Sequence, residues 1–259
     1  MRTLRIFKQM AKISISASFA YRANFFLNLA ISIFSNLLVP LVTVLIYQSG
    51  ASIPGWTFFE ALLVQASFML STGFCAPIFY GMVWVTMEHI REGSYDLLMI
   101  KPGNVIVLSI ASAFEPENTG VLLGGIGMFV YSLLNLPAAS AVDWLQFVFF
   151  FVSSVSLSLG LTLVMSATCF KWVGNSRIFE IYDSLTVFGR YPGTIFSKAI
   201  TAITCFILPV AALGYLPAAA LLHRSAPVML FAFVPCIVFA LLGVALFKFM
   251  IYKYQSAGG

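Results

Sequence analysis

WLQFVFFFVSSVSLSLGLTLVMSATCF, residues 144–170, contains no charged side chain, and its reading decides the fold. A helix needs about 20 mostly apolar residues to cross the hydrocarbon core of a bilayer, and this stretch is longer than that. A barrel strand would alternate apolar and polar side chains to suit a polar lumen. The run here is continuously apolar, so it reads as a lipid-spanning α-helix.

Working outward, similar runs appear at about 25–47, 58–87, 119–136, 193–213 and 228–250. The expectation is an all-α integral membrane protein with six transmembrane helices, forming one transmembrane domain over 1–259. The composition agrees: 61% of residues are hydrophobic, 15% aromatic and 9% charged, whereas a soluble domain carries about 25% charged residues. No secretory signal is expected, because the basic opening residues lead into a full span rather than a cleavage site.

The net charge of +5 is unevenly placed. Arg2, Arg5, Lys8, Lys12 and Arg22 precede the first expected span, and Arg91 and Lys101 follow the second. Lys171, Arg177, Arg190 and Lys198 surround the connection between the fourth and fifth. Lys248 and Lys253 flank the end of the sixth, and Arg224 alone falls on the opposite side. The excess of Lys and Arg in cytoplasmic loops then puts both termini in the cytoplasm.

Three segments are more than spans or simple links. In residues 1–24, Ile6, Met10, Ile13 and Ala17 share one helical face while Arg5, Lys8 and Lys12 share another. This is the pattern of an amphipathic helix lying in the membrane interface. The 58–87 run exceeds the bilayer and is expected to bend at Gly73 or Pro77, continuing as helix into the cytoplasm. Beyond it, Glu88, Arg91, Glu92 and Asp96 form a charged helix end, with Gly93 placed to cap it. Such an end suits docking of a soluble partner; the same residues also fit a solvated loop. Between the fifth and sixth expected spans, residues 207–222 stay apolar but are broken by Pro209, Gly214 and Pro217. Either a re-entrant outer element or a kinked span end fits. Gly120, Gly124, Ser153, Ser154, Ser156, Ser158 and Gly160 permit close helix packing.

Catalytic chemistry is not expected on this chain. The G-x-x-x-x-G-K-[ST] phosphate loop is missing. Cys75, Cys169, Cys205 and Cys236 show no metal-ligand spacing, and His89 and His223 fall on opposite sides, so neither a catalytic nor a metal site is expected. Glu115 and Glu117 around Pro116 read as solvated or interfacial acids. The middles of the expected spans lack Asp, Glu, Lys and Arg, the groups that ion-coupled transport places there. Any transport energy would come from an associated ATPase, and an apolar route favours amphipathic or lipid-like cargo.

Four stretches carry a resemblance: Tyr21-Arg-Ala-Asn-Phe-Phe26, Gly93-Ser-Tyr-Asp-Leu-Leu-Met-Ile-Lys-Pro102, Tyr191-Pro192, and the prolines of 207–222. With them the chain is similar to the membrane (permease) subunit of type-2 ABC exporters, in the compact six-span bacterial subgroup. The resemblance implies an ATP-driven exporter subunit in the bacterial inner membrane. It would pair with a second copy or a related permease and carry two ABC ATPase subunits, with ATP and Mg on those partners and no nucleic acid involved. It implies an ATPase-coupling interface at Glu88, Arg91, Glu92, Gly93, Ser94, Tyr95 and Asp96. It also implies a connecting helix carrying Arg5, Lys8 and Lys12, and an outer gate at Pro209, Gly214, Tyr215 and Pro217. It names no substrate-binding residues. A secondary carrier and a membrane-embedded enzyme or assembly factor are the alternatives.

Overall fold

The computed structural model describes residues 2–172 and 177–255, and every regular element among them is helical. Helix α1 (Arg2–Ala20) meets α2 (Arg22–Gln48) at Tyr21, whose φ of −107° and ψ of 60° break the helical path. There follow α3 (Phe58–Arg91), α4 (Tyr95–Met99), α5 (Val105–Ser112), α6 (Thr119–Leu134) and α7 (Ala141–Cys169). The chain continues as α8 (Ile178–Thr186), α9 (Lys198–Ile207), α10 (Tyr215–Leu221) and α11 (Phe233–Lys253).

Among the described residues, four helices are long and apolar enough to cross a membrane: Arg22–Gln48, Phe58–Arg91, Ala141–Cys169 and Pro227–Lys253. Phe58–Arg91 is largely covered by its neighbours, whereas the other three keep outer faces uncovered by protein. Phe34 is 71% exposed and Leu145 71%, and Leu38, Val148, Leu241 and Leu242 are likewise exposed. Water would not tolerate such a continuous apolar band, whereas lipid tails do. Helix α6 has 16 residues. At 1.5 Å per residue it covers about 24 Å, less than the roughly 30 Å of a typical hydrocarbon core.

The expected span at 193–213 is not one helix, which corrects the sequence reading. Proline removes a backbone donor and clashes with the preceding turn. The segment accordingly breaks into a 3-10 turn at Gly193–Ile195, α9, a 3-10 turn at Val210–Leu213, and α10. The element that runs antiparallel beside α3 is α8 with its 3-10 extension Val187–Arg190. Trp84 stacks on Phe179 at 4.4 Å, Tyr80 lies against Tyr182 at 5.2 Å, and Arg190 covers the Phe68 ring at 4.8 Å. Trp56 Nε1 then donates to Thr194 Oγ1 at 2.6 Å. Arg190 therefore lies deep beside α3, and Lys198 follows Thr194 at the Trp56 end. Neither belongs with the cations of the Arg91 end, where the sequence had placed them.

Bends and seams follow from local chemistry. The expected bend in α3 falls at Pro77, inside a π-helical turn over Ala76–Tyr80, where a wider turn accommodates the missing donor. Gly73 is instead a contact point: a Cβ there would run into the backbone of Leu122 on α6. Gly125 faces Leu70 of α3, and Gly120 approaches the Leu29 carbonyl of α2. Gly160 of α7 meets the Phe239–Ala240 backbone of α11. The small residues thus serve contacts within the chain. Ser153 and Ser154 lie buried along α7 and donate back to the Phe149 and Phe151 carbonyls.

Candidate functional site

Helix α3 has 34 residues, about 50 Å at 1.5 Å per residue, so its last turns project well past a bilayer core of about 30 Å. The projecting end stops in a defined turn. Gly93 adopts φ 67°, and the Ser94 N–H donates to the His89 carbonyl at 2.9 Å. This is the six-to-one hydrogen bond of a glycine-terminated helix. His89 Nδ1 and Ser94 Oγ add a side-chain bond at 2.7 Å. Glu88, Arg91 and Glu92 are exposed on this end, while Ser94 and Asp96 are half-buried.

Tyr95 departs from its expected place at the docking face. It is 1% exposed, held edge-on against Phe170 at 5.0 Å and Tyr254 at 5.8 Å, with its hydroxyl 3.1 Å from Ser109 Oγ. Burial pushes the phenol up to about 12, against a smaller lowering by the Ser109 bond. It stays neutral and acts as a peg that seats the charged turn on α5 and the ends of α7 and α11. Behind the turn, Arg91, Lys171 and Lys253 edge a cleft of about 710 Å³ floored by Phe170 and Phe249.

Helix α1 packs along α5 and the start of α6. Ser14 Oγ donates to the Phe114 carbonyl, and Ser18 Oγ to Glu117 Oε2 at 3.3 Å. Its protein-facing stripe runs through Met10, Ser14 and Ser18, with Ile13 and Ala17 exposed beside it. Arg5, Lys8 and Lys12 are exposed on a third flank. One face thus meets protein, one is left apolar, and one is cationic. Glu115 lies nearby, its N–H bound to the Pro77 carbonyl at 3.0 Å. Burial raises its carboxyl above the usual range, Glu117 adds to this, and the Asn118 amide offsets part of it. Glu115 is a half-buried stitch between α3 and α6 rather than a solvated acid.

At the Trp56 end, two capping boxes become a clasp. Glu60 Oε2 accepts from the Thr57 N–H at 2.8 Å, and Asp143 Oδ2 accepts from the Ser140 N–H at 2.7 Å, satisfying donors that a helix start leaves without intrahelical partners. The same carboxylates hold the turn after α10. Arg224 reaches Glu60 at 2.7 Å and covers the Trp56 ring at 4.4 Å, and His223 Nδ1 lies 3.2 Å from Asp143. From Thr194 the chain dips until Gly214 lies against Val64 and Phe68, then returns through α10 to this clasp. Pro209, Gly214, Tyr215 and Pro217 are all buried in the dip, where protein rather than lipid surrounds the broken backbone. A Cβ on Gly214 would come within 2.5 Å of the Gly189 carbonyl, so glycine is required for that approach. Pro217 sits in the first turn of α10, where its missing N–H costs nothing.

Between α2, α3, α6 and α8 lies a cavity of about 240 Å³ lined by Asn36, Thr72, Tyr80, Asp183, Thr186 and Arg190, among others. The sequence reading missed this site, because α8 fell outside the expected spans and its charges were assigned to a loop. Its signal was the run of chemistry at Tyr182, Asp183 and Arg190 leading into Tyr191-Pro192.

Residues 26–258 match the family model described as ABC-2 family transporter protein. The chain belongs to the ABC-2 transporter family. It is a multi-pass membrane permease of the ABC transporter class. No curated protein and no solved structure matches it.

Proposed function

We propose that this ABC-2 family chain is the transmembrane subunit of an ATP-driven exporter, crossing the membrane six times with both termini on the ATPase side. Helices α2, α3, α6, α7 and α11 make five crossings, and α8 with its 3-10 extension makes another beneath the buried 209–221 plug. Two such subunits, or one with a related permease, form the pathway in a bacterial inner membrane and carry two ATPase subunits that bind ATP and Mg. The turn at 88–96 seats in the ATPase, α1 lies along the inner interface through Arg5, Lys8 and Lys12, and the segment of Pro209, Gly214, Tyr215 and Pro217 closes the outer exit. ATP binding draws the ATPases together and tilts the spans as rigid bodies.

The observation that carries this reading is the mechanical character of the 88–96 turn. It is charged on its outside, fixed by the Gly93 and His89–Ser94 bonds, and pegged by Tyr95. A force applied there reaches α3, α5, α7 and α11 together. The test is co-purification: an ABC ATPase is recovered with the tagged chain, and Glu92→Lys or Asp96→Lys lowers that recovery about tenfold. Recovery unchanged in both variants would sink the coupling assignment.

Asp183 and Arg190 favour a second reading, a secondary carrier without an ATPase, because ionisable groups at membrane depth also suit ion-coupled transport. Gradient-driven transport in vesicles without ATP is its distinguishing result.

A further inference from the structure

Arg190 is a cation with unused donors at membrane depth. Phe68, which it covers, lies ten residues into α3, about 15 Å below the helix start at 1.5 Å per residue. A cation at that depth is costly unless something pairs with it. Among the described residues none accepts a hydrogen bond from it or pairs with it, and its Nε–H is buried without a partner. The Phe68 ring covers one face of the guanidinium, and Arg190 lines the cavity.

Shape and chemistry narrow the ligand. The planar donor fork of arginine matches a carboxylate or phosphate through two parallel bonds. Asn36, Thr72 and Thr186 line the same cavity. The threonine hydroxyls donate to the Phe68 and Tyr182 carbonyls, so the further donor is the second N–H of the Asn36 amide, whose first is on the Ser32 carbonyl. About 240 Å³ is below the range of pockets that enclose whole drug-sized molecules, so it suits a headgroup rather than an entire amphiphile. Helix α2 forms one wall, and its opposite flank, with Phe34 and Leu38, is exposed, so lipid lies beside the site for a hydrocarbon tail. Asp183 borders the cavity seven residues before Arg190, about 10 Å along the same helix. It sets a direction: the anionic group belongs at Arg190, and hydroxyl or amine donors point toward Asp183.

The geometry points to a binding site for the anionic headgroup, phosphate or carboxylate, of an amphiphile, with Arg190 as its principal contact. Taking that amphiphile as cargo rests on the exporter reading; the binding itself does not. Native mass spectrometry of the purified chain in neutral detergent tests it with two C12 probes, dodecyl phosphate and dodecyltrimethylammonium. The wild-type chain should retain dodecyl phosphate about tenfold better than the cation, and Arg190→Gln should erase that preference. Arg190→Lys should keep part of it, because a point charge cannot form the paired bonds, and Asp183→Asn should raise it. Equal or better retention of the cation would overturn the proposal, as would dodecyl phosphate retention unchanged in Arg190→Gln. If that variant does not fold, no change in either Arg190→Lys or Asp183→Asn overturns it. Displacement of dodecyl phosphate by an equal concentration of inorganic phosphate would also do so, since the site would then read the free anion. Because no ATPase is present in this experiment, its failure is separate from failure of the co-purification.

Discussion

Replacing Gly160 with leucine will force α7 and α11 apart and leave little folded protein. A Cβ on Gly160 meets the Phe239 carbonyl carbon and oxygen at 2.6 Å, and one on Gly243 meets the Gly160 carbonyl oxygen at 2.6 Å. These neighbours are backbone atoms of an opposing helix, so no side chain can swing away. Close approach of this kind is the stabilising contact between helices in lipid, where hydrophobic burial contributes little between apolar surfaces. Even Gly160→Ala should cost about 1–3 kcal/mol by overpacking, read as a lower midpoint of thermal unfolding in detergent by fluorescence-detected size exclusion. Gly243→Ala should cost a similar amount. The double variant should cost less than the two singles added, because the helices have already separated at the shared contact. Full additivity would show that the two glycines do not form one seam.

Tyr95→Ala should be nearly as damaging, and in two measurements at once. Truncating a buried aromatic side chain costs about 3–5 kcal/mol, and here the ring joins α4 to Phe170 and Tyr254. Beyond the lowered unfolding midpoint, ATPase recovery should fall as far as in Glu92→Lys, although Tyr95 presents no surface to a partner. Tyr95→Phe keeps the ring contacts and loses only the Ser109 bond, so it should cost about 1 kcal/mol and retain the ATPase. A Tyr95→Ala chain that still recovers the ATPase at wild-type levels would show that the turn needs no peg.

The four long spans were legible in the sequence because lipid demands a simple property, an uninterrupted apolar run. The charged end of α3 and its glycine turn were legible for a local reason, since Gly93 supplies a backbone conformation other residues resist. What misled was apolarity without helix. Residues 193–213 are as hydrophobic as a span for two reasons: α9 leaves Ile200, Ile203 and Ile207 exposed on an apolar surface, and the residues from Pro209 onward are shielded from water by protein. Conversely, α8 carries Glu180, Asp183 and Arg190 nearby, which lowers its hydropathy below that of a span. The boxes at Thr57–Glu60 and Ser140–Asp143 were written plainly in the spacing, yet their second use, clasping His223 and Arg224, is set by contacts far along the chain. Only the family resemblance at 88–96 assigns Tyr95 to the docking face; its contacts with Phe170 and Tyr254, from distant segments, make it internal.

With α8 as the proposed crossing before α9, Glu92 and Lys198 lie on opposite sides of the membrane. Single cysteines test it, because the native Cys75, Cys169, Cys205 and Cys236 are all buried, while Glu92 and Lys198 are exposed. Glu92→Cys and Lys198→Cys chains would be treated with a membrane-impermeant maleimide in right-side-out and in inverted vesicles. Opposite patterns are expected: Lys198→Cys labelled in right-side-out vesicles and Glu92→Cys in inverted ones. Labelling of both cysteines from the same side would rule out α8 as a crossing.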